Sequence, residues 1–206
     1  MNSKDFFRDK EYPTDGVIIL IPVDEKYWKE FFEVRIENQI IKGFYEDRHH
    51  QEVEWESMMQ EDDYIYCFVL KKDSHEFVGY CALSKMKRGI NELSIELLKI
   101  HTNKGYGKRI IRLFTNALKE RVNLEEFVAV IDPENSTSQH MFEKLGAKPS
   151  GIRLSVWLRD TTGERALEFE ESHINEITEH MIVMAEKFAV EPRKLLSHNL
   201  VYALKI

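Results

Sequence analysis

Only two cysteines, Cys67 and Cys81, occur in 206 residues. No CxxC or HExxH accompanies them, so the usual zinc signatures are missing and no metal is expected. Two isolated thiols predict a reduced, cytoplasmic pair rather than a disulfide framework. Basic residues are outnumbered 29 to 36, for a formal charge of −7. A phosphate-tracking surface is usually basic, so general nucleic-acid binding is not expected. No apolar run approaches the ~18 residues of a membrane span. The strongest, Val17 to Ile21, stops at Pro22. The stretch from Met1 to Tyr12 is dense in charge and lacks the apolar core of a signal peptide. Repeats, low-complexity tracts and Pro/Gly/Ser-rich linkers are also missing. What is present is a chain with 43% hydrophobic and 32% charged residues, too apolar for disorder. At roughly 150 residues per domain it predicts one domain over 1–206. Such a chain buries about 70% of its unfolded surface and needs no staple.

Strand and helix patterns alternate along it. Residues 16–23 read as a Val/Ile-rich strand. Asp24 can cap a helix to about Asn38, with Tyr27, Trp28, Phe31, Phe32 and Val34 as its apolar set. A second helix is expected within 50–60. Tyr64 to Leu70 and Glu76 to Ser84 read as strands joined by the polar turn Lys71-Lys72-Asp73-Ser74, and Glu92 to Ile100 as another. From Gly105 to about Arg121, Ile110, Ile111, Phe114, Ala117 and Leu118 keep the spacing of one buried helical face. A strand at Phe127 to Ile131, a helix from Asn135 to Leu145 ended by Gly146, and a strand at Ile152 to Leu158 follow. Ser172 is expected to cap a helix reaching Phe188, and Leu200 to Ile206 to form a last strand. This is an α/β (α+β) layered pattern.

The most informative stretch is Ile100-His101-Thr102-Asn103-Lys104-Gly105-Tyr106-Gly107-Lys108, between a strand and a helix. Glycines there allow a tight turn in which successive N–H groups point at one spot. The helix start adds partial positive charge, and Lys104, Lys108 and Arg109 reinforce it. Taken alone, the stretch is either a pyrophosphate cradle or an ordinary tight turn. It is not a Walker A loop, because Gly107-Lys108 is followed by Arg109 and Thr102 stands where the first glycine belongs. It is not a Rossmann fingerprint, because Ile110 replaces the third glycine.

About 30 residues later comes Asn135-Ser136-Thr137-Ser138-Gln139-His140-Met141-Phe142-Glu143-Lys144-Leu145-Gly146-Ala147. It resembles the Asn-x-x-Ser-x-x-x-Tyr-x-x-x-Gly-Phe segment of the GNAT superfamily of N-acetyltransferases. The earlier turn resembles that family's Arg/Gln-x-x-Gly-x-Gly/Ala motif, with Thr102 first. The likeness covers roughly residues 16–160, with Leu200 to Ile206 resembling the family's last strand. It is nearest the bacterial branch that includes ribosomal-protein N-terminal acetyltransferases. The resemblance implies a mixed, mostly antiparallel sheet of about seven strands with flanking helices. It implies acetyl-CoA in a wedge where the fourth strand leaves the fifth. Pantetheine would pair with backbone near Ile95 and Leu97. Pyrophosphate would meet the amides of Asn103, Lys104, Gly105, Tyr106, Gly107 and Lys108. Asn135, Ser138 and Phe142 would lie on the pantetheine side. Thr102 removes a long polar side chain, which a main-chain cradle tolerates. Phe142 replaces the tyrosine credited in many members with protonating the departing thiolate, and phenylalanine has no proton to give.

In the family reaction a neutral amine attacks the thioester, so a base is useful. Glu92, Ser94 and Glu96 share one face of a regular strand. Glu92 is the first choice of base and Glu96 the second, with backbone N–H groups near Ile95 to Leu97 for the oxyanion. The His49-His50 pair reads as surface, His101 as solvent-facing, and His173 and His180 as the polar face of a helix. Trp28 and Trp55 read as core. Glu46, Asp47, Glu52, Glu54, Glu56, Glu61, Asp62 and Asp63 make either a solvated face or a cation-attracting rim. A rim would favour a small-molecule amine or a protein amino group as acceptor. Residues 160–199 exceed a simple hairpin connection and are expected to be an ordered helical insertion before the last strand. Packing on its own core, covering the acceptor side and making a homodimer contact are its alternative roles. The leading reading is an acetyl-CoA-dependent N-acetyltransferase. The alternatives are a non-catalytic acyl-CoA-binding regulatory or sensor domain and a structural interaction protein.

Overall fold

The Val/Ile-rich run does form a strand, β1 (Ile18–Ile21), with all four residues buried. In the computed structural model, residues 3–38, 42–60 and 63–206 are described. The fold is mixed α/β, with seven mostly antiparallel strands among the described residues. The chain divides into two compact units, 1–127 with 206, and 128–205.

In the first unit β1, β2 (Tyr64–Lys71), β3 (Phe77–Ser84) and β4 (Glu92–Leu97) form an antiparallel meander in that order. Every residue of β3 is buried, as expected of a strand covered on both faces. Cys67 and Cys81 lie opposite each other across β2 and β3 as free, buried thiols. Helix α2 (Trp28–Asn38) follows a 3-10 turn at Glu25–Tyr27 whose cap is Asp24, accepting the Lys26 N–H. Short α3 (Lys42–Glu46) and α4 (Arg48–Gln60) come next. The apolar residues of α2 and α4 pack with Phe68, Phe77 and Tyr80 in one aromatic layer, where Trp28 and Trp55 sit 4.7 Å apart. Helix α5 (Tyr106–Val122) packs against β3 and β4 and buries the five apolar residues its spacing marked.

One expectation changes here. β4 ends at Leu97 rather than Ile100, because Lys99–His101 closes into a 3-10 turn. The charge-dense N-terminal stretch contains α1 (Ser3–Phe7), which buries Phe6 and Phe7. Phe6 meets Phe114 edge-on, so two aromatics outweigh the flanking charge.

The chain enters the second unit within β5 (Glu126–Ile131). Helix α6 (Ser136–Lys144), β6 (Lys148–Leu154), α7 (Glu164–Ser172), α8 (Glu179–Phe188), α9 (Lys194–Ser197) and β7 (His198–Lys205) follow. β7 lies between β5 and β6, and is antiparallel to β6. The strand expected at Ile152 to Leu158 begins earlier and ends at Leu154, with a 3-10 turn at Val156–Leu158. The 160–199 stretch is helical, but Ser172 does not open a helix reaching Phe188. Its hydroxyl donates to the Phe169 carbonyl at the end of α7, and Thr178 caps α8 by accepting the Met181 N–H. Buried Glu170 ties α7 to α9 through Lys194 (2.9 Å) and the Ser197 hydroxyl (2.6 Å). No helix among the described residues is long and apolar enough to cross a membrane.

Candidate active site

The glycine turn is built from main-chain conformation. Asn103 (φ 57°) and Gly105 (φ 81°) are both left-handed, which glycine adopts freely and asparagine tolerates. A Cβ on Gly105 would meet nothing within 4 Å, so backbone angle rather than crowding calls for glycine. Among the described residues the N–H groups of Asn103, Lys104 and Gly105 make no main-chain hydrogen bond. The first amides of α5, from Tyr106, Gly107 and Lys108, have no carbonyl one turn earlier. These donors therefore remain available to an anion. The Thr102 hydroxyl donates to the Lys99 carbonyl at 2.8 Å. An open cavity of about 430 Å³ adjoins the turn, lined by Gly105, Lys108, Arg109, Arg112 and Asp15 among others. Asp15 pairs with Arg109 at 2.6 Å, leaving Lys108 and Arg112 as its other basic side chains.

His101, expected to face solvent, is only 2% exposed. It fills the space beneath the turn, edge-on to Tyr106. Its Nε2 is 3.0 Å from Glu76 Oε1, although off the line of a hydrogen bond. Burial lowers its pKa, and the Glu76 charge only partly opposes this.

The two carboxylates proposed for β4 have different surroundings. Glu92 lies opposite Ser84 and Glu96 opposite Tyr80, so regular alternation puts both on one face. The Glu92 carboxylate accepts from Lys85 Nζ at 2.5 Å. Glu96 instead lies against the aromatic layer, where Arg35 Nη1 donates to it at 2.6 Å and to the Tyr80 hydroxyl at 2.8 Å. Arg35 Nη2 donates to the Tyr45 hydroxyl at 2.6 Å and is 3.0 Å from Glu54. Burial pushes the Glu96 carboxyl above the usual range, while Arg35 and Tyr80 pull it part of the way back. Ile95 and Leu97 lie opposite Cys81 and Gly79 on β3.

Arg35, Tyr45 and Tyr80 were not marked by sequence reasoning. Their spacings of 45, 61 and 10 residues from one bond to the next carry no local pattern. One signal existed: Arg35 stands four residues after Phe31 and three after Phe32, on the apolar stripe of α2 where a charge needs a partner.

In the second unit, Asn135 is the N-cap of α6, accepting the Ser138 N–H at 3.0 Å. Phe142 is 3% exposed. Asn135→Ala is therefore expected to cost about 1 kcal/mol, and thermal denaturation should show a fall of roughly 2–4 °C. His180 does not merely line a polar face, since its Nε2 lies 3.0 Å from Oε1 of buried Gln139. His173 stacks on Phe169.

The acidic stretch is mostly committed locally. Asp47 caps the start of α4 by accepting the His50 N–H, Glu52 pairs with Arg48, and Asp63 accepts the Lys87 N–H. Glu46 and Glu56 are exposed. Glu61 and Asp62 lie outside the described residues. Among the described residues no group of three or more His, Cys, Asp or Glu could hold a metal ion.

Comparison with known proteins bears directly on this arrangement. A search of curated protein sequences gave no significant match. Solved structures share the fold. One, provisionally assigned as a ribosomal-protein-serine acetyltransferase from Vibrio cholerae, is 15% identical at a TM-score of 0.62, covering 96% of this chain and 98% of that one. The microcin C7 self-immunity acetyltransferase MccE, in complex with acetyl-CoA and AMP, is 14% identical at 0.62, covering 94% of each chain. The spermidine/spermine N-acetyltransferase SpeG from Vibrio cholerae is 12% identical at 0.61, covering 92% of each. A family profile described as the acetyltransferase (GNAT) domain matches residues 18–148, the segment holding both the glycine turn and the Glu96 network. The chain belongs to the GNAT acetyltransferase family.

Proposed function

We propose that the chain is a cytoplasmic, acetyl-CoA-dependent N-acetyltransferase that acts on a primary amine by direct attack, with 1–206 as one functional domain. The observation that carries the reading is the left-handed turn whose unbonded amides open α5. Those amides, from Asn103 to Lys108, would hold the coenzyme's diphosphate, with Lys108 and Arg112 close by. Backbone groups of Ile95 and Leu97 would take the pantetheine arm, and Asn135, Ser138 and Phe142 of the second unit are the further coenzyme-binding residues that the family resemblance implies. The coenzyme supplies the acetyl thioester. Glu96 takes a proton from the acceptor ammonium, and N–H groups near Ile95 to Leu97 face the developing oxyanion. Burial raises the Glu96 carboxyl's hold on a proton, which favours it as the base. A spermidine/spermine acetyltransferase among the structural neighbours supports a cationic acceptor.

One observation favours a second reading, an acyl-CoA sensor without turnover: Phe142 offers no proton to a leaving thiolate. A thiol of pKa near ~8.5 leaves tolerably near neutral pH without that help, so turnover remains the preferred reading.

Calorimetric titration with acetyl-CoA tests the proposal. Saturable binding is expected, weakened about tenfold by Gly105→Val, because a β-branched residue cannot relax at φ 81°. A folded chain that shows no coenzyme binding overturns the proposal. Binding without acetylation of any amine in a panel of polyamines, lysine peptides and aminoglycosides selects the sensor.

A further inference from the structure

His101 is a buried base set against the glycine turn. It closes the 3-10 turn Lys99–His101, and the next four residues, Thr102 to Gly105, are the glycine turn itself. The ring is 2% exposed and lies edge-on to Tyr106, the first residue of α5, with ring centroids 5.8 Å apart. Among the described residues neither ring nitrogen has a hydrogen-bond partner, and both are closed to water. A buried polar group left unpaired is destabilising, so its presence here calls for a cause.

Four side chains bear on the ring from the elements around it. Glu76, between β2 and β3, brings Oε1 to 3.0 Å from Nε2, while its Oε2 accepts from Nζ of Lys71 at 2.7 Å. Lys104 of the turn and Tyr106 of α5 complete the set. Glu76 and the Phe77 backbone favour the charged ring, whereas burial, Lys71 and Lys104 oppose it. The opposing influences win, so the ring of the free chain is neutral at neutral pH. A diphosphate held by the amides of Asn103 to Lys108 would reverse that balance. It brings negative charge to the turn, answers the Lys104 ammonium, and acts on the ring through protein, where charges are weakly screened. The Glu76 side chain is 44% exposed and offers the buried ring a path to solvent protons.

We propose that His101 is a positioning residue for the coenzyme: it takes up one proton as the diphosphate settles on the turn, and the imidazolium then braces the turn against Glu76. This rests on the acetyl-CoA reading above. The step is a proton transfer. The ring nitrogen that lacks a hydrogen accepts one proton from solvent by way of Glu76, and no other bond changes. Nε2–H then donates to Oε1 once the carboxylate rotates into line. His101 acts through the turn and not on the reacting atoms.

The test is a pH titration of the His101 ring carbons by NMR in the full chain, free and saturated with acetyl-CoA. The resonance is assigned by its loss in H101N, or by its proximity to the Tyr106 ring if that variant does not fold. Coenzyme should raise the His101 midpoint by about one pH unit. The protonated form binds more tightly, so affinity is full below the free midpoint and falls about tenfold as pH rises through the bound one. In calorimetry H101N should lose this part of the pH dependence and keep only that of the coenzyme's own phosphates. E76Q should lower the midpoint in both states. A midpoint that stays put in the saturated chain, as a purely structural histidine would give, overturns the inference and leaves coenzyme binding standing. A folded chain that binds no acetyl-CoA overturns both.

Discussion

Glu96→Gln is expected to reduce acyl transfer by about 10²–10⁴-fold, the usual worth of a positioned general base. Glutamine keeps the shape of the side chain and an oxygen for Arg35 Nη1, which donates at 2.6 Å in the wild type. It cannot take a proton. Glu92→Gln breaks the pair with Lys85 instead and should cost no more than about fivefold. Steady-state kinetics on both variants separates the two carboxylates. Equal activity of Glu96→Gln and wild type would reduce Glu96 to a brace between α2 and β4. The loss should also depend on pH. Because the Glu96 carboxyl stands above the usual range, wild-type activity falls as pH drops through that raised value, where the base becomes protonated. The Gln variant should lack this acid limb.

Gly79→Ala is the second large effect. A Cβ at Gly79 would lie 2.2 Å from the Glu96 carbonyl oxygen and 2.8 Å from the Leu97 Cα. Both obstacles are backbone of β4, so no side chain can swing aside. β4 must move away from β3 or the pairing of Gly79 with Leu97 must open. Overpacking of this kind costs about 3 kcal/mol, and for a chain of this length the melting temperature should fall by roughly 6–12 °C. The shift falls on the segment proposed to hold the base and the pantetheine arm, so activity should fall further than stability explains. A variant that melts as the wild type does and binds coenzyme equally would show that β4 yields freely at this point.

Much of this was readable in the chain, and the pattern of what was not is instructive. Strands and helices with a steady period were found close to their true limits, because one buried face dictates the spacing. Ile110, Ile111, Phe114, Ala117 and Leu118 mark α5 in this way. The glycine turn was equally legible, since Asn103 and Gly105 are residue types suited to left-handed angles. The error at Ser172 was one of competing caps. Ser172 and Thr178 both can cap, and only the bond from Met181 N–H to Thr178 Oγ1 decides between them. His101 misled because its burial depends on Glu76 and Tyr106 closing over it, 25 and 5 positions away. Arg35 was missed for the same reason: its partners come from α3, α4, β3 and β4, and no sequence period links them. Glu96 was found as a strand carboxylate, whereas its preference over Glu92 needed the burial that only the folded layer provides.

Cys67 and Cys81, wholly buried and facing each other, have a practical consequence of their own. Burial raises the Cys67 thiol well above its ordinary range, so little thiolate forms and no alkylating reagent can reach it while β2 and β3 stay paired. Capture of either sulfur thus requires the middle of the sheet to separate. The chain carries an internal clock for that opening, readable by mass spectrometry as alkylation of the native thiols, without a mutation.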